Sequence, residues 1–168
     1  MTIIDTYYNT LYPQGAHLPC YRWTCAPDVS VGGSILGPED WKHLRDDLGM
    51  EAVVNVETEH DDEGKGIEHL LQCRVPDDGS PFPLDYVRQV VSFAKVHLSA
   101  GRKVHVHCQG GGSRSPAFAY AVLRWCHKLS PVGALEAIRG GKGDVLKAYG
   151  MHPYHISYIS SVEGALGQ

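Results

Sequence analysis

Residues Lys103 to Trp125 constrain this chain more than any other stretch. Lys103-Val104-His105-Val106-His107 alternates apolar and polar side chains as a strand does, with Val104 and Val106 on one face. Cys108 to Ser113 holds three consecutive glycines and no periodicity. From Ser115 or Pro116 to about Lys128 the chain is apolar nearly all round, through Ala117, Phe118, Ala119, Ala121, Val122 and Leu123, as in a central, buried helix. A strand, a glycine-rich turn and a buried helix in that order belong to an α/β unit.

The rest of the chain alternates in the same way. Val29–Ile35 reads as a short strand ending in glycines, and Pro38 opens a helix closed by Gly49. Ala52–Val56 is a second apolar strand, followed by acidic turn residues and a further strand over Ile67–Val75. Pro76–Pro83 must be loop, because prolines and a glycine interrupt it. Leu84, Val87, Val90, Val91, Ala94 and Leu98 keep helical spacing up to Gly101. Further helices are expected from Ser130-Pro131 to Arg139 and from Pro153 to about Ala165. This pattern predicts one α/β domain with a mostly parallel central sheet flanked by helices on both faces. Ligands in such folds bind beyond the carboxyl ends of the strands, where the Cys108 loop lies. Residues 1–28, with Pro13, Pro19 and Pro27, show no sustained periodicity and read as an N-terminal arm packed on a domain spanning 29–168.

Composition narrows the partners. A 168-residue chain with net charge -4 lacks the clustered cations that nucleic acid or an anionic membrane requires. The N-terminus lacks the basic and apolar regions of a signal peptide, and no apolar run is long enough to span a bilayer. Five cysteines at irregular spacings point to reduced thiols and a cytoplasmic setting. Cys20, Cys25 and Cys126 read as structural. The ten histidines are scattered without metal-ligand spacing, so no metal is expected.

The loop itself carries chemistry. A glycine-rich turn from Gln109 through Gly110, Gly111, Gly112 and Ser113 can aim successive backbone N–H groups into one anion nest. The helix that follows adds its own free N–H groups and the positive end of its dipole. Arg114 supplies a planar fork for two phosphate oxygens. The same field favours the thiolate of Cys108, so one site binds phosphate and activates a nucleophile beneath it.

His107-Cys108-x2-Gly111-x2-Arg114-Ser115 resembles the catalytic loop of protein tyrosine phosphatases, and the layout over about 29–165 resembles the small atypical dual-specificity phosphatases. That resemblance implies a phosphomonoester hydrolase working through a phosphocysteine, with 29–168 as its catalytic domain. Cys108 would attack phosphorus, the amides from Gln109 to Arg114 would hold the oxygens, and Arg114 would stabilise the transition state. Ser115 would hydrogen-bond the Cys108 sulfur and help it leave, and His107 would order the loop and tune the thiolate. No metal or organic cofactor is implied.

The family also places an acidic residue about thirty positions before the cysteine, to protonate the leaving group. Val75-Pro76-Asp77 and Asp78-Gly79-Ser80-Pro81 both fit, and the Asp-Gly pattern favours Asp78 over Asp77. Gln109 to Ser113 are uncharged, which argues for a monophosphorylated substrate, whereas Arg74, Arg139 and Lys142 are the cations that could reach the rim. The tail presents Ser157, Ser160 and Ser161 but no evident glutamine to position water. Cys73 could form a reversible disulfide with Cys108, against the plainer reading of a packed core thiol. Two rival functions are a rhodanese-like sulfurtransferase and a catalytically silent phosphopeptide-binding module.

Overall fold

The structure, a computed structural model, describes residues 22–142 and 153–167. Strands β1 (Arg22–Ala26), β2 (Val29–Gly32), β3 (Met50–Asn55), β4 (His69–Gln72) and β5 (Lys103–His107) form a five-stranded sheet of order β1-β2-β5-β3-β4. β2, β5, β3 and β4 run parallel, and only β1 is antiparallel, hairpinned onto β2. Among the described residues the helices are α1 (Pro38–Asp46), α2 (Leu84–Ser99), α3 (Arg114–Trp125), α4 (Pro131–Lys142) and α5 (Pro153–Leu166). The expected α/β architecture is therefore the observed one.

One expectation is corrected. Arg22–Ala26 lies inside the stretch read as an irregular arm, yet it is the edge strand of the sheet. No proline falls between Pro19 and Pro27, so Arg22–Ala26 can extend, and an edge strand five residues long needs pairing on one side only. The remainder of the arm, Cys20 included, lies outside the described residues.

Strand alternation sorts the core into two layers. Val29, Val31, Ala52, Val54, Val104 and Val106 face the main core, with Val87, Val90, Phe118 and Leu123 from the helices. The opposite face packs Met50 and Val53 with Ile35, Trp41 and Leu44 around α1. On β5 the alternation has a second consequence: its valines enter the main core, whereas His105 and His107 turn to the α1 side, both buried. His105 Nδ1 meets the Ser30 hydroxyl there at 2.7 Å. His107 is taken up by the site described below. No described helix is long and apolar enough to cross a membrane.

Because four strands are parallel, the segments leaving β2, β3, β4 and β5 converge at one end of the sheet. β5 is the central strand, so its loop is hemmed in by the other three.

Candidate active site

Cys108 follows β5 directly and is buried, with its N–H donating to the Gly32 carbonyl at 3.2 Å. The loop then folds back over its own sulfur: the Gly111 N–H donates to Cys108 Sγ at 3.3 Å. Gly111 holds φ +79°, and a Cβ there would lie 2.8 Å from backbone atoms of Gly32 and Gly33. The glycine pair after β2 and the glycine in the loop therefore need each other's bareness. Ser34 closes this contact, donating its N–H to the Gln109 carbonyl at 2.9 Å. Gln109 and Gly110 are exposed along the loop.

α3 begins at Arg114, with Pro116 in its first turn, where a missing N–H costs nothing. Ser115 Oγ stands 3.3 Å from Cys108 Sγ and donates to the Gly32 carbonyl at 2.9 Å. Its single proton thus has two acceptors within reach, one of them the sulfur.

The Arg114 guanidinium is buried. Nη1 donates to Glu59 Oε2 at 3.1 Å and to the Val75 carbonyl at 2.8 Å, and Nη2 donates to Glu59 Oε1 at 3.0 Å. Nε alone has no hydrogen bond, with Asp77 Oδ2 3.9 Å away. Burial works against the charge of Arg114, but Glu59, the Cys108 sulfur and Asp77 outweigh it and raise its pKa above the ordinary value. The reciprocal effect is seen on Glu59: burial opposes its ionisation, yet Arg114 holds its carboxyl below the usual range.

The two candidate acids part company. Asp77 crosses toward the loop, accepting from Ser113 Oγ at 3.2 Å and from the Tyr158 hydroxyl at 2.7 Å. Asp78, the residue the sequence favoured, turns away. Its Oδ1 accepts the Ser80 N–H at 2.9 Å and the Ser80 hydroxyl at 2.5 Å, and those bonds hold its carboxyl below the ordinary range. Asp78-Gly79-Ser80 thus forms a turn whose aspartate accepts from the residue two positions on.

Behind the loop lies a second buried cluster. His107 Nε2 pairs with Asp62 Oδ2 at 2.5 Å, Nδ1 stands 3.4 Å from the Cys108 carbonyl, and Glu57 Oε1 lies 3.7 Å from Nδ1. Asp62 also receives Lys65 Nζ at 2.7 Å, and Lys65 reaches the Ile35 carbonyl. Burial raises the cost of ionising Asp62, but His107 and Lys65 together keep its carboxyl below the usual value. Glu57 accepts the Ser34 hydroxyl at 2.7 Å, tying this cluster to the β2 exit.

Sequence reasoning missed Glu59, Asp62 and Tyr158. The first two sit in an acidic, turn-rich run that reads as solvated surface, and no spacing rule separates them from Asp61 or Glu63. Tyr158 lies on the last helix and has no motif to mark it. Of the rim cations, Arg74 is engaged with Asp61 at 2.9 Å and Arg139 is exposed on α4, whereas the Lys142 side chain is outside the described residues. Ser157 donates to the Gly79 carbonyl at 3.2 Å and Ser161 to its own helix, whereas Ser160 is exposed. Cys73 is a free, buried thiol pushed up to about 11 by burial, which disfavours the thiolate that disulfide exchange needs.

Cys108, with the Gly111 N–H and the Ser115 hydroxyl at its sulfur, lies within the stretch that comparison with known proteins matches. The model of the dual specificity phosphatase catalytic domain matches residues 38–150. The chain belongs to this family.

Among its relatives, human phosphatidylglycerophosphatase and protein-tyrosine phosphatase 1 is 31% identical over 167 residues, covering 88% of this chain and 82% of that protein. The structure of human DUSP28 superposes with a TM-score of 0.73 at 21% identity, over 92% of this chain and all of that one. PTPMT1 in complex with PI(5)P gives a TM-score of 0.70 at 20% identity, covering 88% and 97% of the two chains. At those identities the superpositions speak for the fold. The family match makes the chain a cysteine-dependent phosphatase acting on phosphomonoesters and sets the sulfurtransferase reading aside.

Proposed function

We propose that this phosphatase works by two displacements at Cys108, on a monophosphorylated protein side chain. In the first, the Cys108 sulfur attacks phosphorus, the S–P bond forms and the P–O bond to the leaving group breaks. Asp77 gives its proton to the departing oxygen. In the second, Asp77 takes a proton from water as the new P–O bond forms and the S–P bond breaks. The Ser115 hydroxyl then turns from Gly32 to the departing sulfur. Arg114 and the amides from Gln109 to Arg114 hold the phosphoryl oxygens throughout. His107, backed by Asp62, keeps the Cys108 carbonyl and with it the loop in place.

The observation that carries this reading is the meeting of Asp77, Ser113 and Arg114 at the loop that encloses the Cys108 sulfur. Uncharged loop side chains and the acidic surroundings of Glu59, Asp77 and Asp78 favour a substrate with a single phosphate. A second reading, a phospholipid head group, is favoured by the name of the 31% identical human relative. A thiolate nucleophile suits a reducing compartment such as the cytoplasm. Hydrolysis of 4-nitrophenyl phosphate in EDTA, lost in Cys108→Ser, tests the mechanism. Phosphate release from a phosphotyrosine peptide, set against phosphatidylglycerophosphate in micelles, tests the substrate; release from the lipid alone would replace the first reading by the second.

A further inference from the structure

The last helix enters the site from a direction the loop motif gives no reason to expect. Tyr158 on α5 is wholly buried, yet its hydroxyl surfaces at the loop that carries Asp77. It donates to Asp77 Oδ1 at 2.7 Å and accepts the Gly79 N–H at 3.1 Å. Its neighbour Ser157 donates to the Gly79 carbonyl at 3.2 Å. Both backbone groups of Gly79, which stands at φ +79°, are thus satisfied by two successive hydroxyls of one helix. Below them, the Phe82 ring stacks on Tyr158 at 4.3 Å and on Phe118 of α3 at 4.6 Å. The loop is held at three points, one at the acid, one at its hinge glycine and one at its exit.

We propose that Tyr158 is a positioning residue for proton transfer: it orients the Asp77 carboxyl so that Oδ1 accepts and Oδ2 carries the proton to the leaving oxygen. The inference rests on the reading of Asp77 as general acid. A protonated carboxyl has one accepting and one donating oxygen. Two hydroxyls address Oδ1, Tyr158 at 2.7 Å and Ser113 at 3.2 Å, whereas Oδ2 has only the longer Ser113 contact at 3.3 Å, with Arg114 Nε 3.9 Å away, so Oδ2 is the oxygen left to hold the proton. Burial, reinforced by Asp77, pushes the Tyr158 phenol up to about 12, so it stays a donor wherever a cell operates. α5 thereby becomes part of the catalytic apparatus, and the chain beyond α3 is required for more than stability.

Tyr158→Phe keeps the ring that stacks on Phe82 and removes only the hydroxyl. The assay compares kcat/KM, which reports phosphocysteine formation, on phenyl phosphate, a poor leaving group, and on 4-nitrophenyl phosphate, a good one. A general acid contributes ~10²–10⁴-fold, and loss of its orientation should forfeit roughly tenfold of that on phenyl phosphate. The loss on 4-nitrophenyl phosphate should be clearly smaller, and the discrimination should vanish when Tyr158→Phe is added to Asp77→Asn. Equal slowing on both substrates, or the same further loss in the Asp77→Asn background, would reduce Tyr158 to a packing residue. Asp77→Asn is the internal standard. Steep leaving-group dependence in that variant with none in Tyr158→Phe overturns the positioning role alone. A flat response in Asp77→Asn overturns the acid assignment and the positioning role with it.

Discussion

Gly111→Ala tests whether the catalytic loop depends on contact between two glycine segments. Gly111 stands at φ +79°, where an L side chain costs about 1–2 kcal/mol. Its new methyl group would meet Gly32 C and Gly33 N at 2.8 Å and Gly32 O at 3.1 Å. These are backbone atoms next to the end of β2, so they cannot rotate away, and overpacking of this kind costs about 1–3 kcal/mol. Together the substitution should destabilise by roughly 2–5 kcal/mol. At ~2–4 °C per kcal/mol for a domain of this size, the melting temperature should fall by roughly 4–20 °C.

Activity should fall further than stability explains. The carbonyl of Gly32 accepts from both the Cys108 N–H and the Ser115 hydroxyl, so any shift that relieves the clash displaces the nucleophile and its partner together. A displacement near 1 Å costs on the order of 10²-fold in rate. Thermal melts and kcat/KM on 4-nitrophenyl phosphate, both below the melting range, separate the two effects. Gly110→Ala is the stability control, because a Cβ there meets nothing within 4 Å. A Gly111→Ala variant that melts with the wild type and retains full activity would refute the argument from the glycine contact.

Three further outcomes are expected. Asp77→Asn should lose ~10²-fold or more in kcat/KM on phenyl phosphate, while Asp78→Asn, whose carboxylate only caps Ser80, should stay within about threefold of wild type; the reverse order would return the acid role to Asp78. Glu59→Gln removes the counter-charge of the buried Arg114, and since Glu59 is partly exposed the cost should be about 1–3 kcal/mol, with kcat/KM down at least tenfold; an unchanged rate would show that Arg114 needs no partner. Asp62 has a depressed pKa in the folded state, so its stabilisation is complete above the ordinary carboxyl range near ~3.9 and is lost as pH falls through the lower folded value. Asp62→Asn should therefore lower the melting temperature at pH 7 and flatten its decline below about pH 4, whereas a parallel decline in both proteins would contradict the pairing with His107.

What the sequence made legible follows from the range over which each interaction acts. The strand–loop–helix unit from Lys103 to Trp125 was readable because its constraints are local: alternation along β5, bare glycines in the turn, a proline in the first turn of α3. Asp77 and Asp78 could not be separated from sequence, because the choice rests on Tyr158 and Ser113, which lie 81 and 36 residues away. Edge strand β1 was missed because a strand paired on one side only shows little apolar alternation, and prolines on both sides masked it. Glu59 and Asp62 were hidden in a run of acidic residues. Only the folded chain reveals that one of these faces Arg114, another His107, and a third, Asp61, a surface arginine.

Carboxylates ringing an anion site look contradictory until the burial of its cations is considered. An arginine as enclosed as Arg114 is costly without a counter-ion, and a site that relied on phosphate alone would be unstable whenever it stood empty. Glu59 and the Val75 carbonyl take both N–H groups of Nη1 and one of Nη2, which leaves the Nε–H and one Nη2–H without a hydrogen bond. The guanidinium is therefore held in place by its counter-ion, and Nε, itself buried, has Asp77 Oδ2 3.9 Å away. On the proposed reading, the acids neutralise the site at rest, and the phosphoryl group would meet the N–H groups they leave unbonded. His107 is treated in the same way, with Asp62 at Nε2, Glu57 near Nδ1, and Lys65 balancing Asp62. Both residues that flank the Cys108 loop in sequence are thus fixed by carboxylates from the β3–β4 connection. That connection, which resembles a solvated turn when read as sequence, sets the geometry in which Cys108 reacts.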